Sequence, residues 1–422
     1  MKINYLLIFS MTLLLFTIGC EKDEDIDPEI EITEPTEEGI SGQVSGIWTK
    51  GKTYNITGHL EIPEDKSLTI EEGVKVVMTD PLLETEIIIR GELYCLGTET
   101  NPVIFTVPDK LKNEENLYGN LWGGMVSAPT SKAVVLKYTI LEYGGAVTTE
   151  ESPSVKAGLY KAVAGKHLPA LYYGNVDGNF VVINSIIRNF YDDALYVEGG
   201  NTIITNNLIY AVGAPADDAI NLKSGVLADV AFNMIYSPNT SALKLSNSGE
   251  RTPQLYVIAY NNTIINGGWR RPTIKGGSIW VENNVRAEMY NNMIANDRFG
   301  IKRDTGNPED DRSLFYNTFY YGYTQEAVDQ FQPGEEIIAG INDIIGTKAG
   351  ENDPKFVNYP LSTDMYNAEF DTNWDFHLQS GSPALNNGKT DFTRHFASGI
   401  VVNGITYMSP PPANYIGAFS TK

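Results

Sequence analysis

One short phrase recurs six times through the middle of this chain, and its spacing restricts the possible folds more than any other feature. The phrase is Asn-x-Ile, with Phe in place of Ile in the last copy, and the steps between copies are 23, 26, 29, 30 and 25 residues. A repeat of this length that is rich in β-forming residues predicts a solenoid in which each repeat forms one coil. Asn tolerates left-handed backbone at a coil corner, and its amide can pair with the amides of neighbouring coils. The copies are Asn184-Ser185-Ile186, Asn207-Leu208-Ile209, Asn233-Met234-Ile235, Asn262-Thr263-Ile264, Asn292-Met293-Ile294 and Asn317-Thr318-Phe319.

A second row of triplets follows a similar period. Each triplet has a small residue, an aliphatic residue and a variable residue, which is the pattern of a strand whose middle side chain faces the core. The triplets are Ala170-Leu171-Tyr172, Ala194-Leu195-Tyr196, Ala219-Ile220-Asn221, Ala242-Leu243-Lys244, Ser278-Ile279-Trp280 and Gly300-Ile301-Lys302. Stacked strands lie about 4.8 Å apart, so the two rows predict two buried stacks. They are Leu195, Ile220, Leu243, Ile279 and Ile301, and Ile186, Ile209, Ile235, Ile264, Ile294 and Phe319.

Two stretches near the start carry a more specific pattern of short alternating strands separated by Pro and Gly. They read TYNITGHLEIPEDKSLTIEEGVKVVM and IIIRGELYCLGTETNPVIFT, and they resemble the opening coils of the right-handed parallel β-helix proteins of bacterial surfaces. The later stretch WDFHLQSGSPALNNG resembles the closing segment of the same proteins, which would cover the last open coil. We therefore predict an all-β fold with a single right-handed parallel β-helix over 46–322, followed by C-terminal coils and a capping segment over 323–422.

The N-terminal residues are predicted to be a targeting segment. Lys2 is followed by an apolar stretch that is too short to span a membrane comfortably. It ends in Thr17-Ile18-Gly19-Cys20, which resembles the lipobox of bacterial lipoproteins. The resemblance implies a signal peptide over 1–20, a lipid on Cys20 that anchors the chain in the outer membrane, and a location at the cell surface. An ordinary cleaved signal is the alternative.

The charge of the chain excludes one class of partner. The formal net charge is −22, so nucleic acid is not an expected partner, because its phosphates would be repelled. Ten acidic residues lie between residues 21 and 38 and predict a disordered tether over 21–45. This tether resembles the surface-export signals of some Gram-negative lipoproteins, with a simple spacer as the alternative. If Cys20 is lipidated, Cys95 has no cysteine partner and is expected to be a small buried residue. We also expect the protein to be a monomer.

Two aspartate pairs mark the first candidate site. Asp192-Asp193 precedes Ala194, and Asp217-Asp218 precedes Ala219 one coil later. Four carboxylates on adjacent coils could bind Ca²⁺, could supply a general acid beside a general base, or could simply cap strand starts. The segment DDAINLKSG also resembles the polygalacturonase family, which implies catalytic roles for Asp193, Asp217 and Asp218. That family places Gly-His-Gly one coil later, where this chain has Asn239-Thr240-Ser241.

The outward-facing residues of the second row form another candidate surface. Tyr172, Tyr196, Asn221, Lys244 and Trp280 combine rings with polar groups, and this combination suits sugars. In the longest loop Trp269, Arg270 and Arg271 could hold a carboxylated sugar, because the Arg fork matches a carboxylate. The same residue types also favour ordinary sheets and exposed faces. Further candidates rest only on their place in the sequence. His167 lies just before the first tyrosine of this row and could approach the cleft, and Lys223 or Lys244 could supply the base that a lyase needs.

These patterns predict a cell-envelope lipoprotein that binds glycans along one loop-bearing edge, with Ca²⁺ as a possible cofactor. Binding is favoured over catalysis because the sequence contains no complete catalytic set. One alternative is a polysaccharide lyase or glycoside hydrolase that uses Asp192, Asp193, Asp217 and Asp218. The other is a surface adhesin with a protein partner.

Overall fold

The structure is a computed structural model, and it describes residues 32–34, 38–214 and 216–422. The predicted signal peptide, the Cys20 lipidation site and most of the predicted tether lie outside the described residues. The strands Ile32–Thr33 and Ile40–Gln43 fall inside the predicted tether, so the described fold begins before residue 46. None of the helices in the described ranges is long and apolar enough to cross a membrane.

The chain folds into a parallel β-solenoid of about 11 turns, which confirms the predicted all-β fold of stacked parallel coils. Each full coil contributes three strands, and strands of successive coils pair in parallel to form three ladders. Ladder 1 contains Ile32–Thr33, Gly46–Trp48, Ser67–Glu71, Glu92–Leu96, Ala133–Lys137, Asn179–Ile183, Gly200–Thr205, Val226–Ala231, Tyr256–Tyr260, Arg286–Tyr290 and Leu314–Tyr316.

The other two ladders share the long strand Thr53–Ile62, whose first half pairs in ladder 3 and whose last residues pair in ladder 2. Ladder 2 also contains Ile40–Gln43, Glu86–Ile89, Gly124–Ser127, Leu171–Tyr173, Leu195–Val197, Ile220–Leu222, Leu243–Ser246, Ile279–Glu282 and Ile301–Arg303. Ladder 3 continues with Lys75–Met78, Val103–Thr106, Thr139–Glu142, Ile186–Phe190, Leu208–Val212, Met234–Tyr236, Thr263–Ile265, Met293–Ala295 and Phe319–Tyr321.

Helices are short in the described part of the chain. The α-helices are Pro153–Lys156 and Gln325–Gln330, and the 3₁₀ helices are Pro81–Leu83, Asp109–Leu111 and Glu114–Asn116. The first α-helix belongs to an excursion over residues 146–168, which leaves the solenoid between two strands of ladders 3 and 2. An antiparallel bridge between Val147 and His167 closes this excursion at its base.

The predicted aliphatic stack of the second row is confirmed. Leu195, Ile220, Leu243, Ile279 and Ile301 pair in register along ladder 2, and all are buried in the main core. Each of these side chains packs on the one above it, which removes apolar surface from water along the whole length of the ladder. Cys95 is completely buried in the same core, as expected.

The predicted Asn row is wrong by one residue at each of its two ends. The strand register aligns Ser185, Asn207, Asn233, Asn262, Asn292 and Thr318, so Asn184 and Asn317 are not members of this row. The hydrogen-bonded ladder within the row runs from Ser185 to Asn292. Within it, each Asn Nδ2 donates to the Oδ1 of the next Asn at 2.9 Å. A shift of the register by one residue moves each side chain to the opposite face of the strand. The second core stack therefore contains Ile187 and Tyr320 in place of Ile186 and Phe319.

The left-handed corner is a separate row, one position before the hydrogen-bonded ladder. Its residues have φ between 51° and 58° and are Asn184, Asn206, Phe232, Asn261, Asn291 and Asn317. The two roles predicted for one Asn, corner and amide pairing, are therefore divided between two neighbouring positions.

The C-terminal residues run along the side of the solenoid as well as beyond its last coil. Bridges of Ile341 and Ile344 to Tyr316 and Phe319 extend the last coil. Beyond these, two antiparallel strand pairs lie against the outer faces of ladders 3 and 1: Phe356–Asn358 with Asp375–Leu378, and Ile400–Val402 with Ile405–Tyr407. On ladder 1 the buried carboxylate of Asp229 accepts from the amides of His395 and Phe396 and from the Ser409 hydroxyl.

Candidate functional site

The outer face of ladder 2 carries a cleft. Its outward row pairs in register from Tyr172 through Tyr196, Asn221, Lys244 and Trp280 to Lys302, as predicted. The loops that lead from ladder 3 into ladder 2 rise beside this row and enclose a space of about 220 Å³. The cleft is lined by Lys161, Asp193, Tyr196, Ala216, Asp217, Asp218, Asn221, Lys223, Thr240, Ser241, Lys244, Arg271, Lys275, Gly276 and Trp280.

The four predicted aspartates come together at one end of the cleft. Asp192, Asp193 and Asp218 are buried, and Asp217 is partly exposed. One oxygen of Asp193 accepts from the backbone N–H of Asp218 at 2.6 Å, and Asp218 accepts in the same way from Ser241 at 2.9 Å. These bonds join each coil to the next, so the aspartates have a structural role at the strand starts. The second oxygen of Asp193 accepts from Asn221 Nδ2 at 3.0 Å, at the edge of the cleft.

Crowding and burial raise the pKa of every carboxyl in this group. Burial is the main cause at Asp193, whose pKa lies well above its ordinary value, and the neighbouring carboxylates raise it further. Burial, followed by the charges of Asp192 and Asp218, raises the pKa of Asp217 to about 7, although Lys161 and Arg271 oppose this. Burial also raises the pKa values of Asp192 and Asp218. Without a bound cation, the group therefore holds protons near neutral pH.

Three of these carboxylates fit a divalent cation. Asp192, Asp193 and Asp217 each offer an oxygen, and these oxygens lie within 4.8 Å of one another. Ca²⁺ binds oxygens at about 2.3–2.6 Å, so two ligands of one ion are up to about 5 Å apart. The Oδ1 of Asn221, which is buried, has no hydrogen-bond partner in the described part of the chain. Asp218, which was also predicted as a ligand, is outside this three-carboxylate group.

Five cationic side chains surround the carboxylates and extend along the cleft. They are Lys161, Lys223, Lys244, Arg271 and Lys275. Burial and the neighbouring ammonium of Lys244 lower the pKa of Lys223. The Lys244 ammonium lies 3.9 Å from the Glu282 carboxylate, a loose pair. The cleft therefore combines an acidic end with basic walls and the rings of Tyr196 and Trp280.

The excursion over residues 146–168 supplies two residues that the sequence did not identify. The Tyr160 ring packs 5.2 Å from Tyr172 and 5.3 Å from Tyr196, and its buried hydroxyl has no partner within the described ranges. The Lys161 ammonium lies 5.6 Å from the centre of the Tyr196 ring, and it partly opposes the rise in the pKa of Asp192 that burial causes. Tyr160 and Ala162 have φ values of +54° and +49°, so left-handed backbone on both sides positions Lys161 at the cleft.

Several predicted contact residues have other roles. Tyr172 is buried beneath Tyr160, and its hydroxyl donates to Glu198 at 2.8 Å. Trp269 is buried and donates from Nε1 to the Asn296 carbonyl, and Arg270 donates to the carbonyls of Val212, Gly213 and Ser237.

Of the Trp-Arg-Arg run, Arg271 lines the cleft. Its Nη1 donates to the Ala216 carbonyl and the Thr240 hydroxyl at 2.5 and 2.6 Å. The His167 ring stacks on Tyr191 at 3.9 Å, and its Nδ1 lies 2.6 Å from the Gly145 carbonyl oxygen.

One comparison with known proteins bears on this site. The family model of the pectate-lyase-like β-helix domain matches residues 41–225. The matched part contains the opening coils, the excursion with Lys161 and all four aspartates, whereas Lys244, Arg271 and Trp280 lie beyond it. No curated protein matches the chain.

Proposed function

We propose that this β-helix repeat protein binds an acidic glycan in the cleft on ladder 2. The observation that supports the proposal best is the joint presence of five cations, two rings and a group of carboxylates in one cleft. Sugar rings have apolar faces that pack on Tyr196 and Trp280. Their carboxylates would be neutralised by Lys223, Lys244 and Arg271, so binding in a protein of net charge −22 requires this local basic surface.

A divalent cation would bind at the acidic end of the same cleft. Asp192, Asp193 and Asp217 would hold it, and the unpartnered Oδ1 of Asn221 would be the next oxygen available. A bound cation would keep the three carboxylates ionised and would present positive charge to a sugar carboxylate. Because the raised pKa values mean that protons occupy the group without a cation, Ca²⁺ binding should release protons.

Cleavage of the glycan is the second candidate function, and one observation favours it. Asp217 is partly exposed to the cleft and has a pKa of about 7, so it can retain the proton that a general acid gives to a leaving group. A cation at the same carboxylate would remove that proton. Hydrolysis by Asp217 and cation binding therefore exclude each other, and the effect of Ca²⁺ separates the two functions.

The remaining proposals concern the membrane anchor, the location and the oligomeric state of the protein. A lipid on Cys20 would anchor a monomeric solenoid in the outer membrane with its cleft facing outward from the cell. Cys20→Ala should move the chain from the membrane fraction to the soluble fraction and should abolish labelling by a radioactive fatty acid. Unchanged labelling would contradict the anchor.

The cleft is tested with the chain from residue 21 onward, which keeps the strand Ile32–Thr33, on a panel of acidic and neutral polysaccharides, with Ca²⁺ and with chelator. We expect retention on acidic polysaccharides. Lys244→Met should weaken it about tenfold, since one charge-assisted hydrogen bond contributes about 1.5 kcal/mol. The control is Lys110→Met, an exposed residue outside the cleft.

The products formed on the panel separate the alternatives. Ultraviolet-absorbing ends would indicate a lyase, and new reducing ends that disappear with Ca²⁺ would indicate hydrolysis through Asp217. If no polysaccharide is retained or cut, the glycan proposal fails and a protein partner becomes the better explanation.

A further inference from the structure

We propose that the cleft continues into a second subsite for the same acidic glycan, built by Trp269, Arg271, Arg298 and Tyr366. This inference rests on the proposed function and extends it, because it identifies the ligand as a polymer that spans several coils. The second subsite is a cavity of about 530 Å³ beside the cleft, within the range of about 300–1,000 Å³ that is usual for ligand sites.

The two spaces share a wall. Arg271 lines both of them, at the tip of the longest loop between ladders 3 and 2. Its guanidinium is bonded to Ala216 and Thr240 of the two preceding loops, and its carbonyl accepts from Arg298 Nη1 of the following loop at 2.9 Å. From the loop of Asp193 to the loop of Arg298 there are four coil steps, or about 19 Å at the strand spacing. A ligand along this line would lie parallel to the solenoid axis.

The chemistry of the second subsite repeats that of the cleft. The Tyr366 side chain is 57% exposed, and its ring lies 6.1 Å from that of Trp269. Because Trp269 is buried and fixed through its Nε1, it gives Tyr366 a rigid neighbour, and the Tyr366 ring offers a face for a sugar. Arg271 and Arg298 supply positive charge, against one acid, Glu326, in the lining. Arg270 adds little, since all three of its guanidinium nitrogens are already bonded within the protein. Arg298, by contrast, uses Nη1 for its bonds to the Gly268 and Arg271 carbonyls.

The positive charge of the second subsite and its continuity with the cleft both favour a carboxylated glycan as the ligand. A carboxylated glycan held in the cleft next to Arg271 would meet a further cation and a further ring in the direction of Arg298. A neutral apolar ligand would leave Arg298 and Glu326 without compensation.

The experiment measures the dependence of affinity on ligand length. Oligogalacturonides of two and of six residues are titrated by calorimetry into the chain from residue 21 onward, which keeps the strand Ile32–Thr33. The hexamer should bind at least tenfold more tightly than the dimer. Tyr366→Ala should remove most of this advantage and leave the affinity for the dimer unchanged, and Arg298→Gln should do the same. The control is Tyr323→Ala, which changes another exposed tyrosine that lines neither space.

Each result decides between the two proposals. Equal affinity for both oligomers, or an equal loss for both in Tyr366→Ala, would overturn the second subsite and leave the cleft proposal standing. If neither oligomer binds, the proposed function fails for this class of glycan, and the second subsite fails with it. Should Arg298→Gln lower the melting temperature, Tyr366→Ala decides alone, because its side chain is exposed.

Discussion

The buried carboxylates make a quantitative prediction about stability and pH. The pKa of Asp217 rises from 3.8 to about 7 in the folded protein. Each tenfold change in proton affinity corresponds to about 1.4 kcal/mol, so ionising this group in the fold costs up to about 4 kcal/mol relative to the unfolded chain. The group binds its proton more tightly when folded. The cost is therefore absent below about pH 4, grows between pH 4 and pH 7, and is complete above pH 7.

Asp217→Asn replaces the ionising carboxyl by a neutral group of similar shape. We expect the variant and the wild type to have similar free energies of unfolding at pH 4, and the variant to be more stable by about 2–4 kcal/mol at pH 8 in chelator. Urea titrations followed by tyrosine and tryptophan fluorescence measure this difference, with exposed Asp177→Asn as the control. Millimolar Ca²⁺ should stabilise the wild type and reduce the advantage of the variant. Equal or lower stability of Asp217→Asn at pH 8 would refute the electrostatic reasoning.

Three further changes test other parts of the molecule. Asn262→Ala removes amide pairing with Asn233 and Asn292 inside the core and should cost about 2–4 kcal/mol of unfolding free energy. The same change at Asn317, outside the ladder, loses one bond to the Asn387 carbonyl at a left-handed corner and should cost less, about 1 kcal/mol; equal losses would contradict the register. Leu243→Ala opens a cavity in the aliphatic stack and should lower the unfolding free energy by about 2–5 kcal/mol in the same urea assay, and a loss below 1 kcal/mol would mean that the stack is not a close-packed core. Asp229→Ala strips the acceptor from the amides of His395 and Phe396, so limited proteolysis should cut the C-terminal segment faster, while an unchanged cleavage rate would show that this carboxylate does not hold it.

The sequence predicted the solenoid and the register of ladder 2 because both depend on periodicity. It misplaced the ends of the Asn row for a physical reason. In three of the four middle coils two adjacent Asn residues take separate roles; for example, Asn261 takes the left-handed corner, and Asn262 forms the amide ladder. In the first and last coils the second position is Ser185 or Thr318. An alignment on Asn therefore selects the corner instead of the ladder there.

The candidate site was predictable where it is periodic and not where it is irregular. The two aspartate pairs lie one coil apart and the outward row recurs once per coil, so their proximity follows from the fold. Tyr160 and Lys161 come from an excursion with no repeating pattern, and only its tertiary packing brings them to the cleft. The roles of Trp269 and Arg270 could not be predicted from the sequence either. Both side chains point inward because they find backbone carbonyl acceptors there, and the sequence does not show where those acceptors lie.

The position of a bound ligand tests the central claim most directly. Crystals of the soluble chain soaked with an acidic hexasaccharide and Sr²⁺ would be measured at a wavelength where Sr²⁺ scatters anomalously. We predict an anomalous peak between Asp192, Asp193 and Asp217, and sugar density along Tyr196 and Trp280. Sugar density elsewhere, for example in the aromatic cavity of Phe370, Trp374 and Phe419, together with no peak at the aspartates, would contradict the account.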